Sequence, residues 1–234
     1  MARFIGFIPA RAGSKGIPRK NLYEISGFPL IDYTINCAAN SSALSEIYLS
    51  TDDIAISMRA EGTRIKVPSL RPEHLATDTT LTVDVIKHAI NFWVKDYFND
   101  DYLVLLQPTS PLREPRHIAE ACSAINKSNL DGASLVSVCD VGAIHPARMK
   151  IIDKNGLLKN LSGLEFEDMR PRQQLPTIYI RNGAIYINRI IDIMENNRIL
   201  SPNCIPYVMT KDESINIDTI DDVSLAESKL QSKI

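Results

Sequence analysis

Apolar positions along the chain follow two rhythms: short continuous runs, and longer stretches with one apolar face per helical turn. Phe4 to Ile8 is an apolar run that ends at Pro9. Pro29 suits the first turn of a helix, and Ile31, Ile35 and Ala38 then share a face, which predicts a helix to about Ala39. Ile47-Tyr48-Leu49 predicts a short strand, followed by a helix capped by Asp52 or Asp53. Ile65-Lys66-Val67 predicts another strand. From Thr82 to Tyr97 the residues Ile86, Ala89, Ile90, Trp93, Val94 and Tyr97 lie on one face, predicting a long amphipathic helix. Tyr102 to Leu106 reads as a buried strand, Pro115 to Ile125 as a helix and Ala133 to Val138 as a strand.

This β-α-β-α order predicts an α/β fold, a mostly parallel sheet flanked by helices. Such sheets place ligands at the carboxyl ends of their strands. Three polar segments fall there: Arg11 to Asn21, Thr51-Asp52, and Gln107 to Arg113. From about Asp140 to Arg181 the rhythm breaks. Asn155-Gly156 between Met149 to Ile152 and Leu157-Leu158 predicts a hairpin, and Pro171 and Pro176 interrupt the rest. The segment 140–181 is expected to project from the sheet as an insertion within one domain spanning 1–234. Regular structure resumes with a strand at Ala184 to Ile187, a helix at Ile190 to Glu195, a strand at Tyr207 to Met209 and a helix from Ile220 to Leu230.

Composition narrows the partners. Lys and Arg number 26 against 28 Asp and Glu, a formal charge of −2, which argues against a dedicated binder of nucleic acid or acidic membrane. Any anionic ligand must be drawn by a local basic cluster. The apolar part of MARFIGFIPAR is too short for a signal peptide, and no stretch approaches the length of a membrane span. Cys37, Cys122, Cys139 and Cys204 form no CxxC pair and read as buried, reduced thiols. The expectation is a soluble cytoplasmic protein.

The basic cluster is the first loop, where Arg11, Lys15, Arg19 and Lys20 accompany Gly13 and Gly16. Glycines let backbone approach a ligand closely, and successive N–H groups in such a turn form a nest for anions. The loop suits a polyphosphate, although a solvated basic turn is the plainer alternative. It contains neither a Walker A sequence nor GxGxxG, which excludes a P-loop kinase on motif grounds. Ser214 to Thr219 alternates Ile215 and Ile217 with Asn216 and Asp218. Those two polar residues could offer oxygens to Mg²⁺, or Asp218 or Thr219 could simply cap the last helix. Two prolines in Leu106 to Arg113 suggest a rigid turn. Arg170, Arg172 and Arg181 could meet a carboxylate or face solvent. His145 reads as structural, and no nucleophile triad stands out.

Six blocks, taken together, resemble one family. They are IPARAGSKGIPRKNL (8–22), LRPEHLATDTT (70–80), LQPTSPLR (106–113), PRQQLP (171–176), NGAIYI (182–187) and SINIDT (214–219). In this order they are similar to the N-acylneuraminate cytidylyltransferases, from about Arg3 to Leu230. The resemblance implies a Rossmann-like nucleotidyltransferase fold with an inserted dimerisation element, and a homodimer. It implies transfer of CMP from CTP to a nonulosonic acid, with Mg²⁺ and release of pyrophosphate.

The resemblance also implies roles. Arg11, Ser14, Lys15 and Lys20 would hold the triphosphate, with Asn21 near the reacting phosphate. Arg71 would help read the cytosine, and Thr82 would lie near the nucleotide. Gln107, Asn182 and Tyr186 would contact the sugar. Arg148 and Arg172 would reach its carboxylate from the partner subunit. Lys20 and Asp218 would be catalytic, with Asp218 a metal ligand. Position 216 departs from the pattern: it is Asn here, where well-known members carry a second Asp, so the second metal ligand is in doubt. The rivals are a Kdo-type cytidylyltransferase and a non-catalytic nucleotide-binding module with a decayed metal site.

Overall fold

In the computed structural model the first apolar run becomes β1 (Phe4–Pro9), an inner strand of a six-stranded sheet. The structure describes residues 2–94, 96–161 and 168–232, with every side chain in those ranges except that of Arg172. Successive side chains of β1 point to opposite faces. Phe4 and Ile8 join one apolar cluster, Ile5 and Phe7 another. With both faces covered, the strand reads as a continuous apolar run and not as an alternation.

A small ribbon of β2 (Glu24–Ile25) and β3 (Phe28–Pro29) leads into α1 (Leu30–Ala39). Then come β4 (Glu46–Ser50), α2 (Ile54–Met58), α3 (Thr82–Ala89), β5 (Tyr102–Leu105), α4 (Pro115–Lys127) and β6 (Ser134–Asp140). The chain continues through β7 (Lys150–Ile152), β8 (Leu158–Asn160), β9 (Tyr179–Arg189), α5 (Ile190–Asn196), β10 (Cys204–Val208) and α6 (Ile220–Gln231). The sheet order is β10-β6-β9-β5-β1-β4. β1 pairs parallel with β4 and β5, and β10 with β6, while β9 runs antiparallel between β5 and β6. The mostly parallel sheet is therefore as predicted, with the prediction silent on the reversed strand.

Several elements differ in detail. Ile65 to Val67 makes a single bridge: Lys66 donates to the Ile47 carbonyl and accepts from Leu49, both at 2.9 Å. The helix expected over Thr82 to Tyr97 is α-helical to Ala89 and then widens into one π-turn, Ile90–Val94. Within that turn the Trp93 ring stacks on Tyr48 with centroids 6.3 Å apart. Ile215 and Ile217 are buried, but no strand forms around them, because among the described residues their segment has no ladder partner beyond Ile217 N–H to Thr109 O at 2.8 Å. The β2-β3 ribbon was not anticipated.

The chain leaves the sheet after Asp140 and re-enters at Tyr179, so Tyr179, Ile180 and Arg181 belong to β9 and not to the excursion. The predicted hairpin is β7-β8, turning through Gly156 at φ 78°. Its Ile152, Leu157 and Leu158 side chains are exposed. Cys37 and Cys122 are buried free thiols, whereas Cys139 and Cys204 are half-buried. Among the described residues no helix is long and apolar enough to cross a membrane.

Candidate active site

β1, β4 and β5 end on one edge of the sheet, and β9 overhangs them there. Leu105 pairs with Tyr186, so residues 179–183 run past the end of β5 beside β6. A cavity of about 430 Å³ opens at this edge.

The basic loop forms one wall. Ala12 N–H donates to the Asp52 carboxylate at 2.9 Å, and the Asn21 carboxamide donates to the Arg11 carbonyl at 2.8 Å. Ile17 is fully buried against Leu112, Ile215 and Ile217, which pins the loop's centre. Gly16 is where the loop meets its neighbour. A Cβ there would sit 2.3 Å from the Asp218 carbonyl oxygen, whereas one on Gly13 would meet nothing within 4 Å. The close approach allowed by Gly16 is thus to another segment of the protein, and Gly13 faces the open cavity.

That contact brings Lys20 to Asp218. Lys20 Nζ donates to the Ile217 carbonyl and to Asp218 Oδ1, each at 2.9 Å. Thr219, not Asp218, caps α6, in a capping box with Asp222. The Asp218 carboxylate is therefore left to line the cavity, where its Oδ2 accepts from the Asn216 carboxamide at 2.5 Å. Among the described residues, no cluster of three or more His, Cys, Asp and Glu forms a metal cage. One carboxylate with one carboxamide suits a hard cation that takes its other ligands from phosphate and water.

Arg11 and Lys15 converge on Asp78, at 2.8 Å and 3.3 Å. Their hydrogen bonds hold the Asp78 carboxyl below the usual carboxylate range. Sequence reasoning missed this residue. The signal was present, an acid flanked by threonines in the block 70–80. Ser14 lines the same wall, and Lys15, largely exposed, stands at the mouth.

Arg71 lies at the other side, 6% exposed. Its Nε donates to Ser50 Oγ at 3.0 Å and its Nη2 to Ser50 O at 2.6 Å. Burial lowers its pKa to about 10, with Asp52 opposing, so it remains a cation at neutral pH. Leu75, Val85, Thr80 and Thr82 complete that end.

A second cavity, of about 440 Å³, shares Thr82 and Gln107 with the first. Tyr186, Leu105 and Arg181 line it, and sequence reasoning did not place Arg181 there. Burial raises the Tyr186 phenol pKa, opposed by Arg181. Asn182 lines neither cavity. Its Oδ1 accepts from Ser137 Oγ (2.6 Å) and Ala184 N–H (3.2 Å), and its Nδ2 donates to Ser214 Oγ (2.8 Å) and the Met209 sulfur (3.3 Å). With its carboxamide spent inside the protein, Asn182 ties β6, β9 and the segment before Asn216 together. Arg148 also lies away from both cavities, donating to the Arg170 carbonyl at 2.8 Å. Arg172 opens the short 3₁₀ turn Arg172–Gln174, and its side chain lies outside the described part of the structure. His145 is structural: it caps Ala147 N–H and bonds the Pro176 carbonyl.

The site thus offers a cluster of cations, a buried arginine at the far end and a second chamber adjoining the first. A family model described as cytidylyltransferase matches residues 5–214. The chain belongs to the cytidylyltransferase family. This cytidylyltransferase is 39% identical, over 98% of its length and 97% of the relative's, to the CMP-N,N'-diacetyllegionaminic acid synthase of Legionella pneumophila. It is 28% identical over 222 residues to the pseudaminic acid cytidylyltransferase of Campylobacter jejuni, covering 93% of that relative. It is 34% identical to an N-acylneuraminate cytidylyltransferase of Streptococcus agalactiae, of whose length it spans about half, 51%. The solved structure of a CMP:2-keto-3-deoxy-manno-octonic acid synthetase complexed with CTP superimposes with a TM-score of 0.70 over all of both chains. At 15% identity, that likeness shows the shared fold.

Proposed function

We propose that this cytidylyltransferase transfers CMP from CTP to the anomeric hydroxyl of a nonulosonic acid and releases pyrophosphate. The observation that carries this reading is the seam between the two cavities at Thr82 and Gln107. A nucleotide in the first cavity and a sugar in the second would meet there. The printed names of three relatives, for legionaminic, pseudaminic and N-acylneuraminic acids, favour such an acceptor. The 2-keto-3-deoxy-octonic acid synthetase shares only the fold, which gives that acceptor less support.

In this reading Arg11, Ser14 and Lys15 bind the outer phosphates, displacing Asp78 from the two cations. Arg71 holds the base end. Asn21 braces the loop through the Arg11 carbonyl. The anomeric oxygen forms a bond to the α-phosphorus as the bond to the bridging oxygen of pyrophosphate breaks, the pyrophosphate leaving with that electron pair and the hydroxyl proton passing to solvent. Such transfers need positioning and charge neutralisation more than covalent catalysis. Lys20, held by Ile217 O and Asp218, supplies a fixed charge beside the reacting phosphate. Gln107 and Tyr186 orient the acceptor.

Mg²⁺ belongs to the same reading, with Asp218 as its protein ligand. When bound it would neutralise phosphate charge. Asn216 now turns its NH₂ to Asp218, so ligation through its oxygen requires the carboxamide to turn over. Asp218 is the firmer ligand of the two.

A homodimer completes the site in this reading. Arg148 lies away from its own chain's cavities, and the neighbouring hairpin exposes Ile152, Leu157 and Leu158, apolar surface suited to a second copy. The partner's insertion would bring Arg148 and Arg172 to the acceptor's carboxylate. Four free thiols agree with a cytoplasmic setting.

The test is pyrophosphate release with CTP and Mg²⁺ against N-acetylneuraminate, legionaminate, pseudaminate and Kdo. Release with one of the first three is expected. Release with Kdo alone would overturn the acceptor class. CTP binding with no release from any would favour a non-catalytic module.

A further inference from the structure

Arg113 ends the polar loop after β5, and none of the roles above uses it. It is 3% exposed, and its partners are neutral. Nη1 donates to the Gln107 carbonyl at 3.1 Å and the Ala184 carbonyl at 2.6 Å, and Nη2 donates to Thr34 Oγ1 on α1 at 2.6 Å. The Cys37 thiol lies beside it, and among the described residues Nε has no hydrogen-bond partner. No ion pair to a carboxylate forms among the described residues. Burying a guanidinium without a counter-charge carries a large desolvation penalty, which an apolar side chain of similar volume avoids. What the cation holds must therefore matter more than the volume it fills.

It holds the seam. Gln107 stands where the two cavities meet, and its carbonyl is one of the three groups Arg113 clamps. Ala184 follows Gly183, whose φ is +79° and whose missing side chain gives Gln107 its place. A Cβ on Gly183 would lie 2.8 Å from Gln107 Oε1 and 3.3 Å from Asn216 Oδ1. The same loop carries the Asn216-Asp218 segment through Thr109 O and Ile217 N–H. Arg11, Lys15 and Arg71, by contrast, sit on other loops with no bond to Arg113.

We infer that Arg113 is a positioning residue for the acceptor half of the site: from beneath the floor, its fork clamps the β5 loop to β9 and sets Gln107 at the seam. The acceptor it serves is the one proposed above, and the clamp itself is testable without it. The variants are R113K, R113Q and T34V, the last removing an acceptor on α1 far from the ligands. The fork sets Nη1 on the two carbonyls and Nη2 on the Thr34 hydroxyl; lysine has no second nitrogen to hold β9 and α1 at once, so R113K should not rescue. In R113K and R113Q the acceptor KM should rise, and kcat fall, by about tenfold, as for loss of a charged hydrogen bond. CTP Kd by calorimetry should worsen by no more than about twofold, since Arg11, Lys15 and Arg71 sit on other loops and only Lys20 meets the Ile217 segment. T34V should show the same split more weakly, and it carries the test if the Arg113 variants do not fold. Amide exchange on the ligand-free protein needs no acceptor. Ile217 N–H should lose protection by about tenfold while Ala12 N–H keeps its own. Folded variants with unchanged acceptor KM and Ile217 protection would overturn the inference. So would CTP Kd and acceptor KM worsening together. Wild-type release in the same assay judges the acceptor reading separately.

Discussion

Replacing Gly16 by Ala tests how closely the basic loop must seat on Asp218. The new Cβ would start 2.3 Å from the Asp218 carbonyl oxygen, so the two segments must separate by about 0.7 Å to reach 3.0 Å and about 1.1 Å to reach 3.4 Å. The obstructing atom is backbone and cannot swing aside like a side-chain tip. It is also held, because Ile217 N–H is bonded to Thr109 and Thr219 and Asp222 lock the start of α6. Overpacking of this kind costs about 2 kcal/mol. Gly→Ala returns about 0.7 kcal/mol by restricting the unfolded chain. The net loss of about 1.3 kcal/mol lowers Tm by about 3–5 °C for a chain this long. Activity should suffer more. A retreat of 0.7 Å would stretch both Lys20 bonds, now 2.9 Å, to about 3.6 Å, beyond hydrogen-bond range. Displacements near 1 Å at a reacting centre cost about a hundredfold in turnover. Thermal melting and pyrophosphate release with CTP read the two effects. G13A is the control for stability, because its Cβ meets nothing within 4 Å. A G16A protein with wild-type Tm and turnover would refute the reasoning, as would equal Tm losses in G16A and G13A.

Other consequences are as direct. Burial alone would raise the Glu213 carboxyl pKa, but the Thr210 hydroxyl and N–H, His117 and Arg116 outweigh it and bring the group down from 4.5 to about 2. A depressed carboxylate stabilises the fold above its unfolded pKa, and the benefit is lost as pH falls from about 4.5 to 2, up to about 3 kcal/mol. Urea unfolding against pH should show E213Q destabilised at pH 7 with a flatter acid limb, and an unchanged acid limb would count against it. D78N should tighten tripolyphosphate binding by about threefold, because a competing carboxylate is gone; weaker binding would mean that Asp78 serves the bound state instead. K20A should lower turnover by about a hundredfold or more without changing the circular dichroism spectrum. Mixing inactive K20A and R172A proteins should restore part of the activity by forming one intact site per mixed dimer, and an active monomer in ultracentrifugation would exclude that arrangement.

Periodicity alone was enough for the helices and inner strands, because strands buried on both faces and helices with one apolar face leave different spacings. Phe4 to Ile8 and Tyr102 to Leu106 read correctly for that reason. The π-turn at Ile90–Val94 was not legible, since the apolar face continues unbroken through it. The reversal of β9 was hidden as well, because a central strand is apolar on both faces whichever way it runs. Within the site, Arg11 and Lys20 stood out locally as part of a basic cluster after the first strand, whereas a sugar contact for Gln107 and a catalytic role for Asp218 were expected only from the resemblance. Two readings of Ser214 to Thr219 could not be separated by pattern. Only the capping box of Thr219 with Asp222 frees Asp218 to face Lys20 across 198 positions of sequence.

The chain's order of residues therefore determined which elements form and which loops carry charge, because these depend on neighbours a few residues apart. Tertiary structure decided which of those groups meet. Asp78 came to Arg11, Gly16 to the Asp218 carbonyl, and Arg113 to Gln107 and Ala184, while Asn182 was drawn inward to Ser137 and Ser214. Apart from Arg113 to Gln107, which are six positions apart, each of those contacts is set by packing between segments distant in sequence, and local pattern holds no record of it.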